Sequence, residues 1–321
     1  MEHEPVGPAG APRRSTTRPV VLLAVSLAGG AVLAGTFLLL RPDRPDDGAP
    51  QPPGRGDAPF PTRETTGVPE GWEPVRVVRG DLEVDTPGAV VEDVRILDGS
   101  LLVDATDVTV RRVEILGGGI NNFPGPVCSD GLVVEDTTIR SSGPTTEDQL
   151  PAIAYGGYTA LRVLLDGVPE GFRVGGAGSG CGPVTVVDSF ASVRYPDDCT
   201  DWHGDAVQGY DGPALVIRNT TLELVQTADC GGTAAFFYPA DQGNTTVDVD
   251  GLLVSGGGYP FRLGTAGTVS DLAVVDGSWT FGPIDVRCSA LTEWDAAVVE
   301  AAPDGTVRRL RPLPCDTDGG G

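Results

Sequence analysis

The sequence predicts an all-β chain: a single-stranded right-handed parallel β-helix preceded by one N-terminal transmembrane helix. Three observations carry that expectation. One short apolar motif returns at coil-like spacing, a second series of short strands interleaves with it, and an uncharged apolar run lies near the start.

The elements follow in chain order. Residues 1–18 are polar and hold Arg13, Arg14 and Arg18, which favours a tail kept inside. The run 19–40 carries no charge, and at about 1.5 Å per residue it spans the roughly 30 Å hydrocarbon core of a bilayer. A cleaved signal peptide is the alternative, because Val32-Leu33-Ala34 resembles a cleavage site, but Phe37–Leu40 prolongs the apolar run past it. Either way the remainder is expected outside the cytoplasm, on the outer face of a cell membrane or secreted. Residues 41–66 are rich in Pro, Gly and charge without apolar periodicity, and read as an extended linker.

Residues 67–290 are expected to form the β-helix. The pattern is apolar, any, apolar, two polar or turn residues, then apolar, any, apolar. It appears at 108–115, 132–139, 184–191, 215–222 and 247–254, at spacings within the range of β-helix coils. A second series runs between these copies: Leu82-Glu-Val84, Leu101-Leu-Val103, Ile120-Asn121, Ile153-Ala154, Phe172-Arg-Val174, Val207-Gln208, Phe236-Phe-Tyr238, Phe261-Arg-Leu263 and Ile284-Asp-Val286. Each coil therefore contributes at least two short strands, with Gly, Asp and Asn at the bends. A β-sandwich also needs many short strands, but not the same motif returning at coil spacing. Residues 291–321 are expected as a C-terminal cap and tail, with a hairpin near 298–310 covering the open end.

On this repeat pattern, over about residues 75–290, the chain resembles the pectin-lyase-like superfamily of right-handed parallel β-helices. The resemblance lies in the repeats and not in a catalytic motif. It implies carbohydrate chemistry, with Ca²⁺ held by acidic residues and an Arg or Lys base where the reaction is elimination.

All six cysteines lie beyond residue 120, an even number in an oxidising compartment, so disulfides are expected. Cys199 and Cys230 are 31 residues apart and the strand positions Val207 and Phe237 are 30 apart, which puts the two cysteines at one place in neighbouring coils. Coil spacing is about 4.8 Å, within reach of a disulfide. Cys128–Cys181 and Cys288–Cys315 are the remaining expected pairs.

Charge narrows the partners. Arg supplies every one of the 22 basic residues against 45 acidic ones, for a net charge of −23. That field repels nucleic acid and anionic lipid surfaces, and the absence of Lys removes one class of catalytic base. The expected partners are a polysaccharide or cell-envelope glycan, and the membrane through the anchor.

Alternation turns the middle residue of each second-series strand outward. The outward row is then Glu83, Leu102, Asn121, Ala154, Arg173, Gln208, Phe237, Arg262 and Asp285. The densest polar segment, 195–211, holds Asp197, Asp198, Asp201, Asp205, Asp211 and His203, the histidine beyond the N-terminal tail. His203, Asp205, Arg173 and Arg262 are the candidate catalytic residues, since His and carboxylates serve as acid or base. Asn121, Gln208, Trp202, Tyr210 and Tyr238 are candidates for substrate binding, and Asp197, Asp198 and Asp201 for a Ca²⁺ site. Asp205 carries an ambiguity, because alternation from Val207 points it inward. The expected activity is on polysaccharide, with a uronate-polymer lyase the first expectation. The alternatives are a glycoside hydrolase using paired Asp and a non-catalytic glycan-binding or structural surface protein.

Overall fold

The computed structural model describes residues 58–123, 125–143, 151–199 and 202–315. The expected anchor, 19–40, with the tail before it and the linker as far as residue 57, lies outside them. No helix among the described residues is long and apolar enough to cross a membrane.

The described chain is all-β, with three short 3₁₀ turns and two long sheets of 14 and 9 strands. Coil-to-coil pairing is parallel throughout the stack, as a β-helix requires, until an antiparallel hairpin closes it. The nine-stranded sheet runs from Leu82–Val84 through Leu101–Val103, Ile120–Asn121, Ile153–Ala154, Phe172–Gly175, Asp205–Tyr210, Ala234–Tyr238 and Phe261–Leu263 to Ile284–Val286. These are the strands of the second series. In Leu101–Val103 the outer two residues are buried and Leu102 points outward, the period of two expected of a half-buried strand. Inside, Phe236 stacks on Phe261 with ring centroids 4.6 Å apart, and Trp294 follows against Phe261.

The repeated motif forms the fourteen-stranded sheet, and its two central polar residues form a corner. The second of them aligns from coil to coil as Asp93, Arg112, Asp136, Arg162, Asp188, Asn219, Gly251 and Asp271. All eight are left-handed, with φ between 41° and 77°. Asp and Asn tolerate that region better than most residues, while a typical side chain costs about 1–2 kcal/mol there. Two of the eight are arginines, and each is held by its neighbour. Arg112 meets Asp93 through Nε and Nη2, both at 2.8 Å. Arg162 meets Asp136 the same way at 2.6 and 2.9 Å. The Asn219 amide donates to Asp188 at 2.6 Å.

All three disulfides form, with Cα atoms 5.1 Å apart for Cys128–Cys181, 5.9 Å for Cys199–Cys230 and 5.6 Å for Cys288–Cys315. Two expected boundaries move. Residues 58–66, expected in the linker, pack on the outer face instead. Phe60 is buried against Leu253, Ala273, Ala297 and Val299, because it has apolar surface to cover there. Hydrogen bonds lead this strap from Gly305 to Thr138: Phe60 N donates to Gly305 O, the Thr221 hydroxyl to Pro61 O, and Val68 N to the Thr138 hydroxyl. The stack also continues past residue 290. Leu291–Ala301 pairs in parallel with Ala266–Val275 before turning back, antiparallel, into Val307–Pro312.

Candidate functional site

The outward row aligns from coil to coil as alternation predicts, although Ala154 and Phe237 within it are buried. Glu83 pairs with Leu102, Leu102 with Asn121 and Asn121 with Ala154. Arg173 pairs with Gln208, Gln208 with Phe237, Phe237 with Arg262, and Arg262 with Asp285. Ile153 pairs with Phe172, which joins the two halves of the row through Ala154 and Arg173.

At the middle of this wall two neighbouring coils carry matching polar groups. Phe172 and Val207 are aligned and point inward. Glu170 and Asp205 each stand two residues before them, so the two residues occupy equivalent places one coil apart, about 4.8 Å along the stack. Arg173 and Gln208 are aligned beside them. The coils approach so closely that a Cβ on Gly171 would collide with the Ala206 carbonyl. Asp205 is only 1% exposed. Its Oδ1 accepts from the Ala234 N–H at 2.9 Å and its Oδ2 from the Gln208 amide at 3.2 Å. Glu170, with 18% of its side chain exposed, lies 2.6 Å from Arg173 Nη2.

Burial sets the electrostatics. Loss of solvent raises the Asp205 carboxyl well above the usual carboxylate range; the Ala234 N–H opposes this and the Glu170 charge adds to it. Burial raises Glu170 too, while Arg173 pulls it back. The two acids thus differ in character: Asp205 is the more strongly raised, and Glu170 keeps a cationic partner. Arg173 Nε and Gln208 Oε1 are buried and have no hydrogen-bond partner among the described residues. The Tyr158 hydroxyl supports the cluster from inside, donating to the Arg173 carbonyl at 3.0 Å.

The expected site residues divide. Asp205, Arg173 and Gln208 come together. His203 is exposed, and the charges that act on Asp205 include those of Glu170 and Arg173. Arg262 sits three steps along the row, paired with Asp285 at 2.9 Å and stacked on Phe237. Asn121 lies on the row before Arg173, in a recess with Ala154 and Tyr155. Tyr210 is exposed. Trp202 and Tyr238 are corrections: both rings are buried in the core, where no substrate reaches them. Trp202 Nε1 donates to the Pro169 carbonyl at 2.9 Å, and the Tyr238 hydroxyl donates to the Pro213 carbonyl. Asp197 and Asp198 are exposed and Asp201 lies outside the described residues. Among the described residues no group of three or more His, Cys, Asp or Glu side chains is placed to hold a metal ion.

Glu170 is the residue that sequence reading missed. Its signal was present: an acid two residues before the inward apolar residue, in both Glu170-Gly-Phe172 and Asp205-Ala-Val207. Comparison with models of known families, with curated proteins and with solved structures gives no match.

Proposed function

We propose that this chain is a membrane-anchored, extracytoplasmic right-handed β-helix that hydrolyses a neutral glycan at the Glu170–Asp205 pair. The observation that carries the reading is the placing of two acids at equivalent positions in adjacent coils, in environments that separate their proton affinities. Such a split is how one site holds an acid and a base at one pH. Asp205 is the acid, giving its proton to the departing glycosidic oxygen. Glu170, beside Arg173, takes the proton of the attacking water or stabilises the positive charge growing on the sugar. Gln208 covers Asp205 and must swing aside to admit substrate.

A neutral substrate fits better than a uronate polymer. Both arginines of the wall's middle and later rungs, Arg173 and Arg262, are already paired with acids, and the net charge of −23 opposes an anionic polymer. Elimination would also need a free cation to neutralise the uronate. The second reading is a non-catalytic glycan-binding wall, favoured by the near-complete burial of Asp205 beneath Gln208.

The test is incubation of the full-length protein with β-glucan, xylan, galactan, arabinan and polygalacturonate. New reducing ends without ultraviolet-absorbing unsaturated ends support hydrolysis, and unsaturated ends would replace it with elimination. Glu170→Gln and Asp205→Asn are expected to lower the rate by about 10²–10⁴-fold, the usual contribution of a general acid or base. Retention on a polysaccharide with no cleavage of any would support the binding wall.

A further inference from the structure

Two coils beyond Asp205, the same edge of the nine-stranded wall carries a feature that the acid pair does not use. Asp205 pairs with Ala234, and Phe236 pairs with Phe261. Tyr259 stands two residues before Phe261, as Glu170 and Asp205 stand before Phe172 and Val207. Against Tyr259 lies Phe281, with ring centroids 5.8 Å apart and planes tilted by 49°. Phe281 is 75% exposed, the most exposed aromatic ring among the large hydrophobic residues of the described chain.

The ring pair is seated, not stranded. A Cβ on Gly258 would stand 2.9 Å from the Phe281 ring, and a Cβ on Gly282 would stand 3.0 Å from the Tyr259 ring. Each aromatic therefore lies over a glycine next to the other. The backbone fixes the arrangement, since Phe281 N donates to the Gly258 carbonyl at 2.9 Å and Thr280 N to the Gly257 carbonyl at 3.2 Å. Beside the rings, Arg262 faces Tyr259 at 5.8 Å and holds Asp285. An exposed ring fixed by two glycines and flanked by a donor–acceptor pair matches the two faces of a sugar, apolar on its C–H side and polar at its rim.

We propose that Tyr259 and Phe281 form a stacking subsite for a sugar ring of the glycan whose scissile bond lies at Glu170 and Asp205, with Arg262 and Asp285 binding its hydroxyls. The inference rests on the hydrolase reading for its substrate class and adds that the substrate is an oligomer. The platform stands about 10 Å along the stack from Asp205, two coil steps, so one glycan unit cannot touch both places. Size argues against a protein partner. Two aromatic side chains bury about 150–250 Å² each, short of the roughly 800 Å² per side of a stable protein interface.

The experiment uses the full-length protein with hexamers and dimers of the neutral glycan it cleaves, and compares wild type with Phe281→Ala, Phe281→Trp and Gly258→Ala. The Phe281 side chain is outside the core, so its removal leaves folding intact, which circular dichroism checks. Phe281→Ala and Gly258→Ala are expected to raise KM for the hexamer by about 3- to 10-fold, the worth of one ring contact, with kcat unchanged and the dimer unaffected. Phe281→Trp restores the hexamer KM. Equal KM for wild type and Phe281→Ala on the hexamer would overturn the subsite. Retention of Glu170→Gln on the same immobilised polysaccharide panel separates this from the hydrolase reading. Loss of retention on adding Phe281→Ala supports the subsite even where no polysaccharide is cleaved. Cleavage with unchanged retention removes the subsite and leaves the hydrolase.

Discussion

The corner of the fourteen-stranded sheet and the wall of the nine-stranded sheet both stack charged residues coil upon coil, yet they differ in what the charges are for. At the corner, each pair answers a backbone need: a left-handed residue in eight successive coils, with Asp, Asn or Gly where possible and Arg where a neighbouring Asp holds it in a two-point grip. At the wall, Asp205, Arg173 and Gln208 sit on extended strands and Glu170 on the bend that leads into one. No left-handed backbone is met there, a neutral amide could accept the Ala234 N–H as Asp205 does, and Arg173 Nε and Gln208 Oε1 are left without a hydrogen-bond partner among the described residues. Charge that costs stability where a neutral group would serve is the mark of a site.

That contrast can be broken by substitution, and the largest effect falls on the wall. Glu170→Gln and Asp205→Asn should remove activity with little loss of thermal stability. Asp205→Asn should even stabilise at higher pH, because it removes a buried acid that must ionise. Removing a corner acid should do the reverse. Asp136→Ala leaves Arg162 without its grip and puts Ala in a left-handed conformation, so about 1–2 kcal/mol of stability should go, read by urea unfolding, with activity kept. The smallest effect is expected at Asn219→Gly. Glycine relieves the left-handed backbone but loses the amide bond to Asp188, and the net change should stay within about 1 kcal/mol. A corner variant that removed activity at unchanged stability would erase the distinction.

Much of this was legible in the sequence. The period-two alternation of the second series gave the outward row residue by residue, and the cysteine spacing gave the pairing of Cys199 with Cys230. Alternation around Phe237 also places Tyr238 inward, where its ring is found, so its assignment to substrate failed against a pattern already visible. Trp202 failed for a different reason, since its indole N–H finds a buried carbonyl that sequence does not reveal. Glu170 was hidden because Val-Pro-Glu-Gly reads as a turn. Its meaning appears only when residues 170 and 205, 35 positions apart, are laid side by side by coil register. The corner motif announced its two turn residues, but not that the second of them is left-handed in eight successive coils.

The sign of the pH dependence follows from the same pair. Asp205 has a folded-state proton affinity above its unfolded value, so its contribution to stability is full below the unfolded pKa of about 3.9 and is lost as pH rises through the folded pKa. Stability of the wild type should therefore fall relative to Asp205→Asn as pH rises through that window. The most direct measurement is carboxyl titration of the full-length protein by ¹³C NMR, in wild type, Asp205→Asn and Glu170→Gln. An aspartate that titrates well above the ordinary carboxylate range, vanishes in Asp205→Asn and moves down in Glu170→Gln is the predicted result. Titration of every aspartate within the ordinary range would contradict the acid–base pair on which the site rests.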